Sequence, residues 1–304
     1  MTTNWNDSQW LENLTSIEQI LSKGRFEKNN QDVKIIGFGE ISTILQFYQQ
    51  PRWVVKRMPI FDTTDQAKKY CETYLQYNQL LEQAGINIPS HKEYVVGENP
   101  VTLYLLQDAF LSEQIVNNTL INTAKEQQKE IMHLVVKEID KVFQYNQTAE
   151  SDYQLSCDGQ ASNWAIADGE IFYVDTSTPL FKINNIEQLE YELLLKSTPT
   201  FLRGIIRYFF IEEVMERYYQ QRLVYTDLIA NLEKEQLAAL IPDAVEIVNS
   251  YLNRPLSVKE IRQYYRQDKL IWQMFLVFRK FDRWLHRHLW RKPYQYLLPE
   301  KVQR

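Results

Sequence analysis

The spacing of apolar residues changes once, near residue 108, and that change limits the fold more than any other feature of the chain. Before it, short runs rich in β-branched and aromatic residues (Val33 to Ile36, Ser42 to Tyr48, Trp53 to Met58) are separated by a glycine-bearing turn and by Gln49-Gln50-Pro51, as three strands of an antiparallel meander would be. Thr63 or Thr64 is placed to cap a helix running to about Ala84, where Gly85 ends it. Two more strands, Tyr94 to Val96 and Val101 to Gln107, flank the turn from Gly97 to Pro100. Beyond residues 108 to 112 the apolar period becomes helical, first over Thr123 to Tyr145, whose apolar face carries Ile131, Leu134, Val135, Ile139, Val142 and Phe143. One strand pair, Trp164 to Ala167 and Ile171 to Val174, is expected to interrupt the helices, joined by the hairpin dipeptide Asp168-Gly169. After Pro179 the pattern reads as helical again, with Ser257 and Glu260 spaced as a capping box. The expectation is an α+β fold: residues 1–108 hold an opening amphipathic helix (Trp10, Leu11, Leu14, Ile17, Ile20 and Leu21 on one face) and a small sheet, and residues 109–304 are mainly helical.

With 304 residues and 44% apolar side chains, the chain can bury a sizeable core. Its apolar runs, such as Ile271 to Phe278, stop well short of a membrane span. Met1 to Trp10 carries only Asp7 as a charged side chain and lacks the pattern of a secretory signal, so a cytoplasmic location is expected. Two cysteines, Cys71 and Cys157, and four scattered histidines offer no metal-cluster or Ser-His-Asp spacing. A net charge of −5 argues against a general nucleic-acid binder, and no specific nucleic acid is expected as a partner. The segment Arg279 to Arg304 nevertheless carries eight Lys/Arg against two acidic residues, and it reads either as a packed aromatic helix with cations outside or as a peripheral contact for an anionic surface.

Four features carry the chemistry. Gly37-Phe38-Gly39-Glu40-Ile41-Ser42 lies between two strands, where a side-chain-poor backbone can close over phosphates; taken alone, a hairpin turn is the plainer reading. Lys56 ends the run Trp53-Val54-Val55-Lys56, seventeen residues after Gly39, as a phosphate-binding ammonium would; a solvated strand-end lysine is the plainer reading. Glu72, or failing it Glu82, sits on the following helix, where a carboxylate could hold Lys56 extended. Last come Asp158-Gly159-Gln160-Ala161-Ser162-Asn163, a hairpin, and Asp175. Asp158 could take a proton from a hydroxyl, and Asn163 and Asp175 could hold Mg²⁺, although Asp and Asn also serve ordinary turns. The order in which these features occur is more informative than any one of them.

That order, over about residues 33–182, resembles the protein-kinase-like superfamily, in the style of its aminoglycoside and choline phosphotransferase branch. The resemblance implies a two-lobed fold, ATP and Mg²⁺ as cofactors, and transfer of the γ-phosphoryl group to the hydroxyl of a small molecule. In it Asp158 is the catalytic base, Asn163 and Asp175 are metal ligands, and Gly37, Gly39, Ser42, Lys56, Glu72, Gln107 and Ala109 bind the nucleotide, with adenine near Gln107 to Phe110. The chain departs from the family pattern where Ser156-Cys157 stands in place of His-Gly and Thr176-Ser177 follows the metal aspartate. A kinase-like module that binds without transferring is the alternative that these departures support. Acidic residues between 185 and 230, among them Glu187, Glu190, Glu212 and Glu213, are candidates to line an acceptor site or simply solvated helix positions.

Overall fold

A computed structural model describes residues 4–22, 32–38, 42–148, 152–190 and 211–269. It is an α+β protein whose first sheet holds five antiparallel strands, β1 (Val33–Phe38), β2 (Thr43–Phe47), β3 (Trp53–Phe61), β4 (His91–Val96) and β5 (Val101–Asp108), in the order β1-β2-β3-β5-β4. Both faces are covered. Helix α1 (Asp7–Ser22) lays Trp10, Leu14 and Ile17 on one face against Phe47, Trp53, Tyr94 and Tyr104. Helix α2 (Thr64–Gln83) covers the other with Ala67, Tyr70, Tyr74, Tyr77 and Leu81. Because β5 is buried from both sides, its centre, Leu103 to Leu106, is a run of large apolar and aromatic residues instead of an alternation.

Local chemistry sets the element ends as expected. The Gln66 N–H donates to Thr63 Oγ1 at 3.2 Å, capping α2, and Gly85 leaves it with φ of +75°. Ser257 and Glu260 bond reciprocally at the start of the helix over residues 258–269, which we label α8.

After β5 come α3 (Val116–Ile121) and α4 (Lys125–Thr148), then β6 (Tyr153–Leu155), the hairpin β7 (Trp164–Ala167) and β8 (Glu170–Tyr173), β9 (Phe181–Ile183), β10 (Ile186–Glu187), α5 (Ile211–Tyr218), α6 (Gln221–Lys234) and α7 (Ile241–Asn249). Asp168 and Gly169 both take positive φ in the β7–β8 turn, as that dipeptide requires. Two expectations fail here. The β7–β8 pair is not the only strand structure in this half, and the chain is not helical directly after Pro179: β10, β9 and β6 form a second small sheet, with Tyr153 paired to Ile183 and Leu155 to Phe181. Strands of two or three residues are too short to show a period, and β6 finds its partner β9 some thirty residues away, while β10 only folds back on β9 across Asn184-Asn185.

The core does not stop at residue 108. Met58, Leu103, Leu105, Tyr70, Tyr74 and Tyr77 belong to the same buried cluster as Val135, Ile139, Trp164, Phe181, Leu228 and Val245. No helix among the described residues is long and apolar enough to cross a membrane.

Candidate functional site

Lys56 is held at the centre of the site. It sits on β3 opposite Ile44 of β2 and Leu105 of β5, and its side chain, 8% exposed, leaves the sheet toward the end of β8. There its Nζ donates to the Val174 carbonyl at 3.0 Å, to Ser177 Oγ at 3.3 Å and to Asp175 Oδ1 at 3.4 Å. Ser177 Oγ donates in turn to Asp175 Oδ1 at 3.0 Å. The chain thus joins positions 119 residues apart through a nearly buried ammonium.

The Asp158–Asn163 segment packs beside this group. The Gln160 N–H donates to Asp158 Oδ1 at 3.1 Å, and Asn163 Nδ2 to the Asp158 carbonyl at 3.4 Å, so the segment closes on itself. It is also tied to the strand that carries Asp175. Val174 N–H donates to the Asn163 carbonyl at 2.9 Å, and Asp158 N–H to the Tyr173 hydroxyl at 3.0 Å. Gly159 is needed for space: a Cβ there would come within 2.9 Å of Val224 Cγ1 on α6 and 3.0 Å of Ile139 Cδ1 on α4. Asp158, Asn163 and Asp175 are all partly exposed and lie at one end of the β7–β8 hairpin, as their spacing suggested.

Helix α2 meets the site through tyrosines, which the sequence reading missed. Tyr70 OH donates to the Ser177 carbonyl at 2.9 Å and Tyr77 OH to the Ser156 carbonyl at 2.8 Å. Burial pushes the Tyr70, Tyr77 and Tyr173 hydroxyls well above their usual range, so all three stay protonated donors. The available signal was the spacing 67, 70, 74, 77, 81, an apolar-facing stripe in which three positions carry a hydroxyl.

Other positions need correction. Glu72 is exposed and is not brought to Lys56, because it lies two residues, or about 200° of helix, from Tyr70; Glu82 is exposed as well. Gly37 lies inside β1 rather than in the turn, beside a register shift between Ile35 and Gly37, and a Cβ there would make ordinary contact with Ile44 at 3.5 Å. Gly39 lies outside the described residues, as does the basic segment from residue 279 onward. Ser42 is buried just before β2. Gln107 is buried between Val54 and His91, and the Ala109 N–H is already donated to the Arg52 carbonyl at 2.7 Å, so it is not open to a base. Beyond it Phe110 packs on Phe172 of β8 with centroids 5.4 Å apart, which gives this edge an aromatic wall. Of the acidic candidates, Glu187 accepts from Tyr219 OH at 2.7 Å and Glu190 pairs with Lys69 at 3.5 Å; the side chains of Glu212 and Glu213 lie outside what is described.

Among the described residues no three His, Cys, Asp or Glu side chains converge as a metal site. A divalent cation here would rest on the hard oxygens of Asp175 and Asn163 and take its other ligands from phosphate and water, the sparse protein coordination that suits Mg²⁺. An open polar hollow of about 440 Å³, lined by Asn146, Asp152, Tyr153, Gln154, Asn184 and Asn185, shares no residue with this group. Its amides are turned inward, Asn146 onto the Leu155 backbone and Asn184 onto Asp152.

No curated protein matches the chain. A family model does match, over residues 20–283, and the chain belongs to that family, DUF6206, a family of unknown function.

Proposed function

We propose that this protein is a kinase-like, two-lobed phosphotransferase that uses ATP and Mg²⁺ to phosphorylate a hydroxyl of a small molecule. The observation that carries the reading is the contact between the nearly buried Lys56 and Asp175, with Asn163 and Asp158 on the adjoining loop. A buried lysine aimed at a carboxylate from a distant hairpin is costly unless the pair serves a ligand that both charges can address. In the proposed reaction Lys56 binds nucleotide phosphates, and Asp175 and Asn163 would hold the metal, which would supply positive charge to offset the charge developing on the phosphates. Asp158 accepts the hydroxyl proton as the acceptor oxygen bonds to the γ-phosphorus. The bond to the β,γ-bridging oxygen breaks, and ADP leaves.

Two further features favour this reading. The family resembled has His-Gly where this chain has Ser156-Cys157, and here other bonds support the loop: Ser156 Oγ donates to the Tyr218 carbonyl, Ser156 N–H to the Leu180 carbonyl and Tyr77 OH to the Ser156 carbonyl. Asp175 is followed by β9 after only five residues, and the sequence has no Ala-Pro-Glu segment, which favours a small acceptor over the substrate of a regulated protein kinase.

The exposed Glu72 favours a second reading, a kinase-like module that binds nucleotide or a partner without transfer. Thermal unfolding with Mg·ATP decides first. A saturable stabilisation in the wild type, weakened in both Lys56→Ala and Asp175→Asn, is expected. Screening of hydroxylated acceptors follows, with Asp158→Asn as the chemical control. Stabilisation by nucleotide with no turnover on any acceptor supports the binding module; no stabilisation of the wild type refutes both transfer and nucleotide binding and turns the reading to a module that binds a partner.

A further inference from the structure

Tyr70 and Tyr77 stand seven residues apart on α2, two turns along one face, and both are fully buried. Their hydroxyls reach matching points on the two loops of the site. Tyr70 bonds the carbonyl of Ser177, two residues after Asp175, and Tyr77 bonds the carbonyl of Ser156, two residues before Asp158. Ser156 is completely buried and Ser177 is 5% exposed. Tyr77 cannot readily swing aside, because its ring stacks on Phe181 with centroids 6.2 Å apart and planes 9° from parallel. A third hydroxyl, from Tyr173, accepts the Asp158 N–H and so ties the first loop to the strand that ends at Asp175.

We infer that Tyr70 and Tyr77 are positioning residues for the phosphotransfer proposed above: Tyr70 fixes the metal-binding loop and Tyr77 the loop of the catalytic base. They take over the task of coupling α2 to the site, which Glu72 does not perform. The inference rests on that reading of function. An ordinary core tyrosine also satisfies a carbonyl, but it has no reason to affect metal dependence and rate separately.

The test uses the full chain and four variants, Tyr70→Phe, Tyr77→Phe, Tyr173→Phe and, as a control distant from the site, Tyr94→Phe. Three quantities are measured: the Kd for metal-free ADP, the Mg²⁺ concentration giving half-maximal stabilisation by ATP, and the slow hydrolysis of Mg·ATP with water as acceptor. Loss of one buried hydrogen bond next to a working group should cost about tenfold in the step that the group serves. Tyr70→Phe is therefore expected to raise the Mg²⁺ midpoint about tenfold while metal-free ADP binding changes less than about twofold. Tyr77→Phe is expected to leave both binding quantities within about twofold and to lower kcat for hydrolysis about tenfold at unchanged KM. Tyr173→Phe should share the Tyr77→Phe signature, and it decides the matter if Tyr77→Phe does not fold. The role is overturned if the wild type responds to nucleotide and these variants match it or the Tyr94→Phe control. It is also overturned if Tyr70→Phe weakens metal-free ADP as much as Mg·ATP, since that marks a purely structural loss. A wild type that binds neither nucleotide overturns the phosphotransferase reading, and this role with it.

Discussion

Glu18 of α1 is the counter-charge for a guanidinium on the covered face of the first sheet, and removing it should unfasten that face. Arg57 Nε donates to Glu18 Oε1 at 2.7 Å and Nη2 to Oε2 at 2.9 Å, a bidentate pair whose side chains are 12% and 16% exposed. Tyr104 OH donates to the same Oε1 at 2.5 Å. Burial works against the Arg57 charge, yet its bonds to Glu18 outweigh it and leave the guanidinium more firmly protonated than usual. Glu18→Ala deletes three hydrogen bonds and leaves Arg57 charged and unpaired beneath α1. Breaking a buried pair by removing one partner costs about 3–5 kcal/mol, and the residual exposure here points to the lower end, about 3 kcal/mol. For a chain of this size that is a fall in Tm of roughly 5–10 °C. Thermal unfolding followed by tryptophan fluorescence suits the measurement, because Trp10 and Trp53 lie in the same cluster. The double variant Glu18→Leu with Arg57→Met replaces both charges by apolar groups and should recover most of the loss. A Tm for Glu18→Ala within about 1 °C of the wild type would refute the argument. So would a double variant that is no more stable than the single one.

Lys56→Met should lower the stability of the free protein by about 1–2 kcal/mol, because it deletes three hydrogen bonds and leaves the half-buried Asp175 without its ammonium, while abolishing any stabilisation by Mg·ATP; chemical denaturation with and without nucleotide separates the two effects. Gly159→Ala should cost about 1–3 kcal/mol by forcing Val224 and Ile139 apart, read as a lower urea midpoint at unchanged slope. Glu235, just past α6, is raised to about 7 by burial, with Oε2 lacking a hydrogen-bond partner. A carboxyl whose folded pKa lies above its unfolded value binds extra protons when folded, so its contribution is complete below about pH 4 and is lost as pH rises through 7. Stability should therefore fall on the order of 2 kcal/mol between pH 5 and pH 8, and Glu235→Gln should flatten that slope in denaturation curves taken across the range.

The elements that were legible are each long enough to show a period or carry a local marker. The α2 cap at Thr63, the Asp168-Gly169 turn and the Ser257–Glu260 box are of that kind. The pairing of β6 with β9 was not legible, since it is set by a segment some thirty residues away, and the β9–β10 hairpin, marked only by Asn184-Asn185 between strands of three and two residues, was missed. At the site, Lys56 and Asp175 were read as parts of one constellation, but Glu72 was expected as the partner of Lys56 and its direct contact with Asp175 was not foreseen. The role of α2 was misread for a reason of phase: a carboxylate on a helix attracts attention as a charge, but the face turned inward is decided by the apolar stripe, and that stripe carries Tyr70 and Tyr77 instead of Glu72. The occupied Ala109 N–H could not be foreseen either, because its acceptor, Arg52, lies fifty-seven residues earlier.

The buried cluster that runs without a break from Met58 and Leu103 through Tyr77 and Phe181 to Leu228 and Val245 has a consequence for how the molecule comes apart. A change of secondary-structure type at residue 108 divides the chain in sequence but not in cooperativity. The residues that would have to open first to separate the halves, Tyr70 and Tyr77, are among the most buried in the protein. Sub-global opening along that line would cost nearly as much as global unfolding, so amide protection around Asp158 and Asp175 should approach that of the central strands instead of the low values common in ligand loops.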